Sequence, residues 1–387
     1  MATRTPTANS DQPRKILRVG IIGLGEIAQV NHISLLNNLS SYFQTTYLCD
    51  ASLQALAHCS RKVAGGPPHT TTNPQELISS PDVDVILLCN ANAYHHSHAI
   101  LALEANKYVL CEKPLALNYR DIDAIISAES NSQGRVFVGY QRRYAEAFLD
   151  AVKEVGGMEQ IQYARVRDII GPNSNFVSQS GTFSQKFTDF RKEDTEEMMS
   201  LDEEMMRYAL EHDYGVEVTK ESMDMARLLA SLGSHDLSAM RELLGMPTSV
   251  LGASLQAGSP IWSVLFQYPS FPVTYESGIN NVPIFDAHIE IYSQEKIVRV
   301  NYDTPYVKGL PVTMTIRERI DNGEREGDGY QERTVRKTYE DPYTLEFLEF
   351  YRVVVGREEP KTGAKDARID VDLWKMILRA GYPCTSD

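Results

Sequence analysis

Several things are scarce in this 387-residue chain. No apolar run approaches the ~20 residues needed to cross a bilayer as a helix, which argues against a membrane-spanning protein. Basic charge is in the minority: 38 Lys and Arg stand against 52 Asp and Glu, for a formal net charge of −14. A general nucleic-acid surface concentrates Lys and Arg against phosphates, so that class of partner is set aside. Cysteine is limited to Cys49, Cys59, Cys89, Cys111 and Cys384. The count is odd and no Cys-x-x-Cys pair occurs, which disfavours both a disulfide framework and a zinc site. Reduced core thiols of a cytoplasmic protein fit better. There are no internal repeats, no low-complexity tract and no metal-ligand spacing. Residues 1–14 are polar, lack an apolar signal core, and are expected to form a disordered tail.

What is present starts at Leu17-Arg-Val-Gly-Ile-Ile-Gly23-Leu-Gly25-Glu-Ile-Ala28. An apolar, β-branched run leads into Gly-x-Gly-x-x-Ala and then a helical pattern. Strand, glycine turn and helix in that order suit a dinucleotide site. Gly23 permits the tight turn, Gly25 lets backbone approach a pyrophosphate, and Ala28 lets helix pack on strand. The phosphates then meet the positive end of the helix, where Glu26 and Ile27 begin it. The next apolar run ends at Asp50, 22 residues after Ala28, about where a carboxylate would accept both ribose hydroxyls of NAD. Its charge would repel the 2′-phosphate of NADP. The simpler alternative is a tight turn with Asp50 as a helix cap.

Beyond Asp50, helical patterns (Leu53 to Val63, Pro74 onward, Ser97 to Ala105, Asp121 to Ser130) alternate with short apolar runs (Val83 to Cys89, Tyr108 to Cys111, Val136 to Val138). Alternation of this kind predicts a doubly wound parallel sheet. Within it, Asn90-Ala-Asn92-Ala-Tyr-His95, then an apolar strand ending in Glu112-Lys113-Pro114, and Tyr140-Gln-Arg-Arg143-Tyr144, resemble the Gfo/Idh/MocA oxidoreductases, which include glucose–fructose oxidoreductase and the inositol dehydrogenases. The resemblance is dense over residues 16–144 and patchy afterwards. The usual Thr-Pro of the Asn-x-x-His turn is replaced here.

The resemblance implies an N-terminal Rossmann domain over residues 15–144. It also implies a C-terminal α+β substrate and oligomerisation domain over residues 145–387, with a large open antiparallel sheet. Bound NAD, with NADP less favoured, would be contacted by Gly23, Gly25, Glu26, Ile27, Asp50, Asn90, Asn92, His95, Glu112, Lys113 and Arg143. Lys113 would handle a proton or orient substrate, since a desolvated amine beside the cofactor has a lowered pKa. Tyr144 would line the substrate pocket.

In the second half, Ala145 to Val155 reads as a linking helix and Gln160 to Asp168 as a strand, with Arg165, Arg167 and Asp168 candidates to line a pocket. An acidic, Met-bearing segment, about residues 174–214, reads as a helical insertion. In it Ser200-Leu-Asp-Glu203 has the form of a capping box, and Thr219 could cap a further helix. Ser231-Leu-Gly-Ser-His235 sits where the family carries Asp-x-x-x-His. His235 matches the family's catalytic histidine, while Ser231 replaces the aspartate, which makes His235 a weaker base. Positions four apart share a helix face, so Ser231 and His235 would both face the substrate; Asp236 would point elsewhere. From Ser249 onward β-rich runs dominate, and Asn322-Gly323 suggests a hairpin tip.

The expected function is an NAD-dependent oxidoreductase moving a hydride between nicotinamide and a ring hydroxyl of a sugar, polyol or related cyclic alcohol. The expected assembly is a homodimer or homotetramer through the C-terminal sheet. Two rivals keep the fold: tightly held NAD recycled internally during glycoside cleavage, elimination or epimerisation, or a cofactor-binding sensor without catalysis.

Overall fold

The computed structural model describes residues 14–182, 184–256, 259–320 and 329–384. Two sheets dominate. The first contains β1 (Leu17–Ile22), β2 (Phe43–Cys49), β3 (His69–Thr71), β4 (Val85–Leu88), β5 (Tyr108–Cys111) and β6 (Val136–Val138), in the order β3-β2-β1-β4-β5-β6. All its pairs are parallel. Strand order reverses between β1 and β4, the crevice where open α/β sheets bind ligands. Val85–Leu88 is buried at every residue, because helices cover both faces. One of the covering helices, Pro342–Gly356, comes from the far end of the chain: Tyr343, Phe347, Phe350 and Val353 join the core around Leu17, Val19 and Phe43.

The second sheet has β7 (Tyr163–Ile170), β8 (Ser249–Ser254), β9 (Ile261–Gln267), β10 (Pro272–Ile279), β11 (Phe285–Tyr292), β12 (Lys296–Tyr302), β13 (Thr313–Ile320) and β14 (Gly329–Val335), in the order β14-β13-β12-β11-β7-β10-β9-β8. Only β7 and β10 are parallel neighbours; the other pairs are antiparallel. Strand residues alternate between two faces. The inner face packs Val166, Trp262, Phe266 and Tyr275 against the helices Glu146–Gly156, Ser234–Leu244 and Ala364–Gly381. The mixed architecture, parallel sheet plus large antiparallel sheet, matches the expected fold class.

Local signals held unevenly. Asn73 caps Pro74–Ser79 with proline in the first turn, and Thr219 with Ser222 forms a capping box for Lys220–Leu228. Ser200 caps nothing. It lies inside the Lys192–Tyr208 helix, whose N-cap is Arg191, because helix-forming residues precede it without interruption. Asn322-Gly323 lies outside the described residues. Four cysteines are buried and unpaired, and Cys384 is exposed. Among the described residues, no helix is long and apolar enough to cross a membrane.

Candidate active site

At the end of β1 the chain turns at Gly23, whose φ is +92°. A Cβ there would lie 2.4 Å from the Asn90 backbone nitrogen, so β1 and β4 can come this close only with glycine. A Cβ on Gly25 would meet nothing within 4 Å: its bare side faces open space. The following helix carries a π turn over Ala28–His32, and the N–H groups of its first turn have no intrahelical partners, the property by which a helix start binds anions. Asp50 stands just past β2. Its Oδ2 accepts the Leu24 N–H at 2.7 Å and its Oδ1 the Ser52 N–H at 2.8 Å. Burial pushes its pKa up and these backbone bonds pull it down, with the net shift upward. Each oxygen keeps a second lone pair. A bare glycine edge, free amide donors and a positioned carboxylate fit a dinucleotide.

The rim residues are mostly engaged within the chain. Glu26 accepts from the Asn173 amide at 2.6 Å, and Ile27 packs on the core. The Asn90 amide meets His98 Nδ1 at 2.9 Å. Asn92 opens a short 3-10 turn and is half-buried. His95 is buried, its Nδ1 2.8 Å from the Pro114 carbonyl and its Nε2 3.2 Å from the Asn90 carbonyl. It ties the end of β4 to the Glu112-Lys113-Pro114 turn. Burial lowers its pKa, so the ring stays neutral. Glu112 is held by His32 at 2.7 Å. Despite burial its pKa stays below the usual carboxylate value, through His32 and Lys113.

Lys113 leaves β5 pointing toward the second sheet. Its Nζ donates to the Ser231 carbonyl at 2.6 Å. Desolvation lowers its pKa, and the charges around it are Glu112, Arg142, Asp168 and Asp236. His235 lies at the start of the Ser234–Leu244 helix with its Nδ1 buried and unpartnered. Its pKa falls well below the ordinary value, through burial first and then the positive charges of Lys113 and Arg142. Arg142 is buried between two carboxylates: Nη2 donates to Asp168 at 3.0 Å and Nη1 to Asp236. Burial and the charge of Asp168 push Asp236 well above the carboxylate range. Asp168 Oδ1 and Asp236 Oδ2 lack hydrogen-bond partners.

Five expected positions are placed differently from their reading. Arg143 is buried against Glu242 and Asp366, away from the cofactor crevice. Its neighbour Arg142 is the arginine beside Lys113; a short 3-10 turn over Gln141–Tyr144 separates the two directions, which no spacing rule reveals. Tyr144 stacks on Phe137 and bonds the Thr362 hydroxyl at 2.7 Å, inside the first core. Arg167 pairs with Glu276 at 3.0 Å and Asp286 at 2.7 Å on the outer face of the sheet. Consecutive strand residues face opposite ways, so Arg167 and Asp168 cannot both line one pocket; Asp168 is the one turned inward. The Ser231 hydroxyl points back to the Leu228 carbonyl at 3.4 Å, and only its backbone meets Lys113. The cause is a π turn over Leu229–Gly233, which breaks the regular four-residue face. Asp236 was expected to point elsewhere, yet it joins the charged groups around Lys113 through Arg142. Among the described residues, no group of three His, Cys, Asp or Glu side chains could hold a metal ion.

Residues 17–140 match an oxidoreductase family with an NAD-binding Rossmann fold, GFO_IDH_MocA. A myo-inositol 2-dehydrogenase of Thermotoga maritima is 24% identical over 372 residues, 95% of this chain and 94% of that protein. An inositol 2-dehydrogenase/D-chiro-inositol 3-dehydrogenase of Shouchella clausii is 38% identical over 137 residues, covering 34% of this chain and only 38% of its own length. Among solved structures, KijD10, a 3-ketoreductase from Actinomadura kijaniata in complex with NADP and TDP-benzene, superposes with a TM-score of 0.68 at 14% identity, covering 95% of this chain and 98% of that one. An oxidoreductase from Thermotoga maritima gives 0.67 at 19%, covering 95% and 97%. At these identities the structural likeness speaks for the fold.

Proposed function

We propose that this chain, whose residues 17–140 match the Gfo/Idh/MocA oxidoreductase family, transfers a hydride between the nicotinamide of NAD and a ring hydroxyl of a sugar, polyol or related cyclic alcohol. The observation that carries this reading is the setting of Lys113: a desolvated amine, fixed at 2.6 Å on the Ser231 carbonyl, with Glu112, Arg142, Asp168 and Asp236 as the charged groups around it. The nicotinamide, when bound, supplies the hydride acceptor or donor. The chain's own residues do the rest. Lys113, its pKa lowered by burial, takes the proton from the hydroxyl being oxidised. His235, kept neutral, holds a neighbouring hydroxyl. Asp168, anchored on Arg142, accepts a hydrogen bond from a further one.

NAD is favoured over NADP by Asp50, whose carboxylate lies where a 2′-phosphate would be repelled. The division near residue 144, a cytoplasmic location and assembly through the outer face of the second sheet belong to the same proposal. The test is to incubate purified protein with NAD or NADP and a panel of inositols, sugars and glycosides, following nicotinamide absorbance and products. Lys113→Ala should cut turnover by about 10²–10⁴-fold, the usual worth of a proton-transfer group, with NAD affinity almost unchanged. Undiminished turnover in that variant removes the role given to Lys113. A changed glycoside with no net NADH would replace the dehydrogenase reading with internal recycling. A specific observation favours keeping that arm of the test: a segment from the second half lies over the Asp50 end of the cleft.

A further inference from the structure

Residues 184–191 run from the second half of the chain onto the first sheet, beside the loop that follows β2. Three anchors hold them there. Gln29, 2% exposed, accepts the Gln185 N–H at 2.9 Å and donates its amide to the Gln185 carbonyl at 3.1 Å and the Leu24 carbonyl at 2.8 Å. The Phe187 ring lies 5.5 Å from the His58 ring and packs on the core of the first sheet. Asp189 then sets both carboxylate oxygens on the turn after Asp50: Oδ1 accepts the Ser52 hydroxyl, and Oδ2 accepts the Gln54 N–H at 3.0 Å. The charge of Asp189 reaches Asp50 itself.

The position matters chemically. In a Rossmann crevice a carboxylate about 20 residues past the glycines receives the ribose 2′-hydroxyl of NAD, and when the cofactor is NADP the 2′-phosphate is accommodated by groups near that position. Here those groups, the Ser52 hydroxyl and the Gln54 N–H, are already satisfied by an anion built into the chain. Asp50 would repel a 2′-phosphate. Asp189 does something different: it takes the donors that such a phosphate would require. We propose that Asp189 is a second cofactor-specificity residue, delivered by this strap, which fills the 2′-phosphate position from the other half of the molecule and commits the chain to NAD. The proposal rests on the NAD reading above and adds to it a residue far away in sequence.

The test uses the full-length protein and measures dissociation constants for NADH and NADPH without substrate, by fluorescence quenching and calorimetry. Removing the carboxylate in Asp189→Ala is expected to tighten NADPH by roughly tenfold or more, equivalent to about 1.4 kcal/mol. NADH should stay within about threefold, well under that step. Asp189→Asn, which can still accept from Ser52 but carries no charge, should fall between, and it serves if the alanine variant folds poorly by circular dichroism. An unchanged NADPH-to-NADH ratio in the folded variants overturns the role of Asp189 while leaving the NAD reading intact. A wild-type protein that binds NADPH more tightly than NADH overturns the role as well. A wild type that binds neither overturns the cofactor reading itself.

Discussion

The two faces of the eight-stranded sheet handle polar side chains in opposite ways, and β7 takes part in both. On the outer face, Arg165 and Arg167 share Glu276, Arg167 also reaches Asp286, and Arg317 bonds Glu332. On the inner face the next residue, Asp168, is fully buried and flanked in register by Ser277 of β10 and Ala287 of β11. There Asp168 Oδ1, Asp236 Oδ2 and the Tyr275 and Ser277 hydroxyls lack partners. A buried polar atom without a partner costs about 1–3 kcal/mol. A fold tolerates several together where a ligand completes them. The outer face answers its own charges; the inner face leaves capacity unused, beside Lys113.

The largest expected effect breaks the inner face. Arg142→Met leaves two buried carboxyl groups without their cation, and should cost about 3–5 kcal/mol, read by urea unfolding. A loss below about 1 kcal/mol, the size of an exposed pair, would mean the inner cluster is no different from the outer ladder. Next comes Ser231→Asp, which puts a carboxylate on the turn that leads into the His235 helix. His235 titrates well below its ordinary value through burial. If it works as a neutral group, the wild type keeps its kcat/KM as pH falls through 6.5 and loses it only at lower pH. Because the side chain at 231 turns back toward Leu228, an aspartate there should leave that acid limb in place. A limb moved to higher pH, as a nearby carboxylate would cause, would show that position 231 reaches His235 and return it to the pocket. The smallest effect belongs outside. Arg167→Gln should leave kcat/KM within about twofold, because its pairs with Glu276 and Asp286 lie on the face of β7 opposite Asp168. A hundredfold loss of kcat/KM would return Arg167 to the pocket.

How much was legible depended on the range of the interaction. The glycine turn, Asp50, the Glu112-Lys113-Pro114 corner and the alternating β/α pattern are local signals, and each has its counterpart in β1 to β6. His235, read from a motif, and Asp168, read from a strand, both lie among the titratable groups around Lys113 and Arg142. Arg142 was missed in favour of Arg143, and Ser231 was expected to use its side chain, because a 3-10 turn and a π turn rotate these residues in ways that periodicity does not encode. Ser200 was read as a cap because a four-residue pattern cannot show that a helix has already begun.

The sequence by itself determined the nucleotide-binding half: period-2 and period-3.6 patterns and glycines at fixed offsets act over a few residues, so the string contains them whole. Only the tertiary structure decided the side-chain cluster around Lys113 and Arg142. Arg142 reaches Asp236 across 94 positions, Lys113 meets Ser231 across 118, and Asp189 lands on Ser52 across 137. Those meetings depend on which face of β7 is buried and on how the second sheet packs against the first. Neither is a property of any short stretch of chain; both follow from burying two apolar surfaces at once.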